Sequence, residues 1–119
     1  MVPSESSTAA PLKPHIFLIL MSLVDGQAHG YEIRKDVEQR SEGSVRLDPG
    51  TLYRHIGRLL DEALIEESDQ RPDDDDTRRR YYALTDDGIA AVEAEAERMA
   101  SLVDAVRASN LSRSRSTAR

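Results

Sequence analysis

Apolar residues follow one another almost without interruption through H-I-F-L-I-L-M-S-L-V, a run that Pro14 opens. A helix of that composition is apolar nearly all round, so it must be buried on several sides rather than lie on a surface. Part of that burial is expected from a second subunit, through Ile16, Phe17 and Leu20. D-G-Q-A-H-G reads as a loop, after which Y-E-I-R-K-D-V-E-Q-R places Tyr31, Ile33 and Val37 as the inward positions of a short second helix that Gly43 ends. A third helix starts where Asp48 can cap free amides and Pro49 suits a first turn, and Leu52, Ile56, Leu59 and Leu60 recur at helical spacing. The rhythm then shortens. Ala63, Leu64 and Ile65 lead into a strand, Gln70 to Thr77 form a polar turn, and Tyr81, Tyr82, Ala83 and Leu84 return as a second strand. Because side chains alternate along a strand, one of Tyr81 and Tyr82 is expected to face the core and the other the outside. Thr85 caps a last, long helix whose first turn carries Asp86 and Asp87, the charge that a helix N-terminus favours. Along it Ile89, Val92, Ala96, Met99, Val103 and Val106 alternate spacings of three and four, a heptad seam of the kind that pairs helices. From Asp86 to Ser109 the rod would run about 36 Å at 1.5 Å per residue, too long to lie wholly on so small a domain.

The fold class implied is mainly α with a small β-hairpin. Four segments follow: an N-terminal arm over 1–12 punctuated by Pro3 and Pro11 and expected to be disordered, a packed unit over 13–84, a C-terminal dimerisation helix over 85–109, and a basic Ser/Arg tail over 110–119. At 119 residues the chain supports one domain with a real core, though four Tyr, one Phe and no Trp leave it lean in aromatics. The absence of Cys excludes thiol nucleophiles, disulfides and thiolate metal sites. The longest apolar stretch is roughly half of what a bilayer requires. With no basic segment at the start of the chain, the expected location is the cytoplasm, without a membrane partner.

A net charge of −6 argues by itself against a polyanionic partner. Its distribution changes that reading. Six acids between Asp86 and Asp104 face the single Arg98, so the acidity is concentrated on the last helix, whereas Arg46 to Arg58 and Arg107 to Arg119 are net basic. Opposite the apolar stripe of the third helix lie Thr51, Tyr53, Arg54, His55 and Arg58, groups able to bond phosphates and base edges. A core-facing helix with such an outer face, followed by a hairpin, reads as a DNA-reading helix followed by a wing.

H-G-Y-E-I, D-P-G-T-L-Y-R-H-I-G-R-L, A-L-I and R-R-Y-Y-A-L-T-D-D-G, in that order, resemble the PadR family of bacterial transcriptional regulators over roughly residues 13 to 107. The resemblance implies a winged helix-turn-helix, a C-terminal helix used for dimerisation, and repression of a nearby promoter relieved by a small molecule. Its P-G-T-L-Y element falls on Pro49, Gly50, Thr51, Leu52 and Tyr53, and its basic wing residues on Arg78, Arg79 and Arg80. Two departures stand out. The wing tip here is D-D-D-D, Asp73 to Asp76, which offsets the neighbouring arginines, and the dimerisation helix has no aromatic residue with which to sandwich a flat effector.

Several residues admit two roles. Tyr53 can bond a phosphate or cover a base, or it can pack its ring on the second helix. Arg54 and Arg58, one turn apart, are phosphate ligands or a solvated surface. Gly50 either tolerates its place near a helix start or lets the backbone approach phosphate closely. Arg78 to Arg80 form a phosphate clamp or the counter-ions of the aspartates, and Tyr31 belongs to the core or to a dimer-side pocket. His15, His29 and His55 stand on separate elements without zinc-motif spacing, so no metal or other cofactor is expected. No catalytic motif is present, and no enzyme activity is expected.

The whole implies a homodimer that binds double-stranded DNA and answers to a small-molecule effector of open identity. DNA contacts are expected from Pro49, Gly50, Thr51, Tyr53, Arg54, Arg58 and Arg78 to Arg80. The dimer interface is expected from Ile16, Phe17 and Leu20 with Ile89, Val92, Ala96, Met99, Val103 and Val106. The competing reading is a winged helix used for protein–protein contact through its acidic last helix, without DNA binding.

Overall fold

A computed structural model describes residues 11–69, 79–109 and 111. The arm over 1–10, the wing tip with Asp73 to Asp76 and Arg78, and the tail from 110 apart from Leu111 lie outside the described residues.

The order is α1 (Pro14–Met21), β1 (Ala28–His29), α2 (Gly30–Arg40), α3 (Pro49–Asp61), β2 (Ile65–Ser68), β3 (Tyr81–Leu84) and α4 (Asp86–Ala108). Ile19 and Leu20 of α1, Ile33 and Val37 of α2, and Leu52, Ile56 and Leu59 of α3 meet in one core that Ile65 and Tyr82 close from the sheet. Helices α2 and α3 each contribute a stripe at i, i+3 or i+4, which is how short helices bury apolar area, whereas α1 buries the adjacent Ile19 and Leu20. A winged helix-turn-helix results.

The segment from Asp25 to Gly30 is not wholly a loop. Ala28 and His29 pair with Tyr82 and Tyr81, so the sheet has three antiparallel strands in the order β1-β3-β2. A two-residue strand has no periodicity to read; only its pairing creates it. That pairing makes β3 the middle strand, and both Tyr81 and Tyr82 are buried, contrary to the expected alternation of inside and outside. Tyr82 joins the core, while Tyr81 is covered by its cross-strand neighbour His29, whose ring stands edge-on to it with centroids 5.3 Å apart.

Helix α2 begins with a capping box. His29 Nδ1 accepts the Glu32 amide at 3.3 Å, and Glu32 Oε1 accepts the His29 amide at 3.1 Å. Tyr31, placed inward by the sequence pattern, is 59% exposed. Two residues before Ile33 on a helix is about 160° around the axis, so once Ile33 and Val37 take the core Tyr31 must point away. The helix closes through Glu42 and Gly43, both at positive φ, with the Gly43 amide donating to the Glu38 carbonyl at 2.8 Å.

Helix α4 is anchored at one end only. The Thr85 hydroxyl accepts the Gly88 amide at 3.0 Å and donates to the Ala63 carbonyl at 2.6 Å, while the Thr85 amide donates to the Leu64 carbonyl at 3.1 Å. Gly88 lies so close to that corner that a Cβ would overlap the Leu64 carbonyl oxygen. Further along, Glu95 is only 7% exposed; its Oε1 accepts the Leu12 amide at 3.1 Å and Arg98 Nε at 3.3 Å, which partners the buried charge. Beyond Arg98 every described residue of the helix is exposed.

Candidate nucleic-acid interface

Asp48 starts α3 by accepting the Thr51 amide on Oδ1 at 2.8 Å and the Thr51 hydroxyl on Oδ2 at 3.2 Å. Those two bonds hold its carboxyl below the ordinary value of 3.8. The loop before it is tied down by Arg34, whose Nε donates to the Leu47 carbonyl at 2.9 Å. With Leu52, Ile56 and Leu59 buried, the opposite side of α3 presents Gly50, Arg54 and Arg58 to solvent, and Pro49 is exposed at the helix start. Arg58 leans on Glu62 one turn away, Nε to Oε2 3.4 Å, whereas Arg54 projects from the middle of the exposed face. Thr51 is engaged in the cap. Gly50 has room for a methyl group, since a Cβ would meet only Asp48 Oδ1 at 3.5 Å, so packing within the chain does not require glycine there.

Tyr53 and His55 lie on opposite flanks of this face, about 160° apart around the helix. On the Tyr53 flank the side chain is 51% exposed and reaches the start of α2, where its hydroxyl occupies the space that a Cβ on Gly30 would need. Both roles weighed for Tyr53 are therefore compatible: its ring packs on α2 and its edge stays open. Beside it is a cleft of about 320 Å³ lined by His29, Tyr31, Tyr53, Arg79, Arg80 and Tyr82. Arg79 lies 3.3 Å from His29 Nε2, and Arg80 bridges to Glu67 on the neighbouring strand at 3.5 Å. Burial raises the Tyr82 hydroxyl above its ordinary value, which keeps it a neutral donor at the base of the cleft. The structure thus gathers Tyr53, Arg79 and Arg80 and adds Tyr31, which the sequence pattern had turned inward.

On the other flank α1 brings a residue that spacing could not connect. His15 and His55, forty positions apart, have ring centroids 4.8 Å apart. Among the described residues no group of three His, Cys, Asp or Glu side chains is placed to hold a metal ion.

The residues assigned to a dimer interface divide. Ile89, Ala96, Met99, Val103 and Val106 are exposed along α4, Val92 is half-buried against the core, and Ile16 and Phe17 are half-buried on α1. Leu20 is fully buried in its own subunit's core, where α1 packs against α2 and α4, and it has no surface left for a partner. Leu102, 62% exposed and outside the heptad pattern, widens the apolar stripe.

A family model described as the Transcriptional regulator PadR-like family matches residues 19–94, which include the core, the interface helix and the anchored end of α4. The chain belongs to the PadR-like family. Members of this family regulate transcription and are not enzymes. A PadR family transcription regulator from Clostridium difficile is similar at 25% identity and a TM-score of 0.67, over 80% of this chain and 96% of that one. RosR of H. salinarum is similar at 28% identity and a TM-score of 0.64, over 78% of each chain. Bacillus subtilis PadR, solved in complex with operator DNA, shares the fold at 21% identity and a TM-score of 0.57, over 68% of this chain and 45% of that one. No curated protein matches the sequence. No described helix is long and apolar enough to cross a membrane.

Proposed function

We propose that this PadR-like protein is a homodimeric, cytoplasmic repressor that binds an inverted-repeat operator and releases it when a small molecule binds. The observation that carries the reading is the face of α3: apolar residues buried behind, Arg54 projecting in front, and the Tyr53, Arg79 and Arg80 cleft beside it. A helix so mounted fits a major groove, with Arg54, Arg58 and the backbone of Pro49 to Thr51 meeting phosphates or base edges and the wing arginines meeting the flanking backbone. The fold shared with a PadR protein solved in complex with operator DNA is consistent with DNA binding.

Dimerisation is supported by α4. Met99, Leu102, Val103 and Val106 form an exposed apolar stripe that none of the described residues of their own subunit buries, and a second α4 packed on it removes that area from water. Two-fold symmetry then sets two recognition helices one DNA turn apart, about 34 Å, and demands an inverted repeat. The effector is best accommodated by an apolar cleft of about 400 Å³ between the end of α1, β3 and α4, lined by Leu23, Val24, Leu84, Ile89 and Val92. It contains no aromatic side chain, so a flat ligand held by stacking is not the expected class.

Fluorescence anisotropy with duplex from the protein's own upstream region and with random duplex, at fixed salt, tests the reading. Preferential binding of the upstream duplex by a dimer is expected. Absent binding to both would favour the protein-contact alternative, and equal binding to both would refute sequence-specific recognition of that region.

A further inference from the structure

The second flank of the recognition helix carries a cluster of which the DNA reading above uses only Arg58. A cleft of about 290 Å³ opens between the start of α1 and α3, lined by Lys13, His15, His55, Arg58 and Glu62 around Leu59. Lys13 is exposed and the two histidines are half-buried. Glu62 is the one acid at its edge among the described residues, and it is engaged with Arg58. From α4, Glu95 approaches this end of α1, but it accepts the Leu12 amide and Arg98. The cluster therefore assembles two imidazoles among cations, and its one carboxylate among the described residues, Glu62, is already engaged by Arg58.

We propose that this cleft takes a phosphate of the second DNA backbone flanking the major groove, and that His15 and His55 bind it in their charged forms, so that DNA binding takes up protons. The placement follows from the helix itself. An α-helix lying in a major groove has a sugar–phosphate backbone on each side. Tyr53 and the wing cleft occupy one flank of α3; His55, about 160° away, occupies the other with His15 and Lys13. In the free protein the His55 ring is held below its ordinary value, first by burial and then by its neighbours His15, Arg54, Lys13 and Arg58. A phosphate monoanion in the cleft reverses that balance, because it attracts the same charges that repel one another without it. The free protein thus disfavours the charged form of the His55 imidazole, and the phosphate favours it. By linkage, affinity then rises as pH falls, by up to about tenfold per pH unit for each proton taken up.

This inference rests on the DNA reading, and the test separates the two. Affinity for the upstream duplex is measured by anisotropy at constant ionic strength from pH 8 to pH 6 for the full chain, for a His15→Gln/His55→Gln variant and for Lys13→Gln. The native chain is expected to tighten by tenfold or more over that range, and the double variant to lose most of the dependence while retaining binding at pH 8. Lys13→Gln should keep the pH dependence and lower the salt slope by about 0.9 per protomer. If the double variant is unstable, the single His15→Gln variant reports the same loss in smaller measure. Binding that is strong but independent of pH, or a pH dependence that survives in the histidine variants, overturns the inference and leaves the DNA reading standing. No binding at any pH removes both.

Discussion

Replacing Gly88 by Ala puts a methyl group where the Leu64 carbonyl oxygen already lies, with Leu84 Cδ2 3.1 Å away on the other side. The oxygen belongs to the backbone and also accepts the Thr85 amide, so it cannot rotate aside as a flexible side chain would. The first turn of α4 must shift instead, and the shift stretches the two bonds that Thr85 makes to the corner, to the Ala63 carbonyl at 2.6 Å and the Leu64 carbonyl at 3.1 Å. Loss of these two bonds costs about 1 kcal/mol each. Overpacking adds about 1–3 kcal/mol. Alanine's better helix propensity returns about 1 kcal/mol. The net is about 2–4 kcal/mol of destabilisation, which for a domain of this size lowers Tm by roughly 10–20 °C. Thermal unfolding followed by far-UV circular dichroism, at one fixed protein concentration because a dimer's Tm depends on it, measures the change. Gly57→Ala is the control: nothing lies within 4 Å of a Cβ there, and the same substitution should be neutral or stabilise by up to about 1 kcal/mol. A Gly88→Ala protein that melts with the native one would refute the close approach of α4 to the corner before β2.

Arg54→Ala should weaken binding to all duplexes and reduce the salt slope by about 0.9 per protomer if the side chain meets a phosphate, whereas loss confined to one base pair, by about 1–3 kcal/mol, would identify a base contact; an unchanged affinity and slope would remove it from the interface. Met99→Glu places like charges on the apolar stripe of α4 and should convert the proposed dimer to monomer in sedimentation velocity, with operator affinity falling alongside; a tight dimer would mean that subunits meet elsewhere. The Asp48 carboxyl is held below its ordinary value by the Thr51 bonds, so its contribution is complete above the unfolded value of 3.8 and lost as pH falls through the lower folded one. Asp48→Ala should therefore destabilise the chain at pH 7, and the difference from the native chain should shrink towards pH 3; a difference constant with pH would show that the cap does not act through the carboxylate.

The helices were legible in the sequence because each carries its own signals. Asp48 with Pro49, and Thr85 with Asp86 and Asp87, mark starts that depend only on residues within one turn, and the stripe from Leu52 to Leu59 declares its buried face by spacing alone. The outer face of α3 followed, since whatever stands opposite a buried stripe must face out. Pairings across the chain were another matter. Strand β1 exists because β3 is beside it, and the burial of both tyrosines of β3 depends on that third strand and on the His29 ring, none of which has a local signature. Leu20 had the composition of an interface residue, and only the packing of α1 on α2 and α4 consigned it to the core. Glu95 sits among the acids of α4 like any solvated carboxylate in the sequence, yet the start of α1 buries and partners it. His15 and His55 are forty residues apart, and no periodicity relates them; the crossing of α1 with α3 sets their rings side by side. Local chemistry decides which segments form and which face each buries, while contacts between distant segments, formed only when loop-closure entropy is met by a shared core, decide which side chains become neighbours.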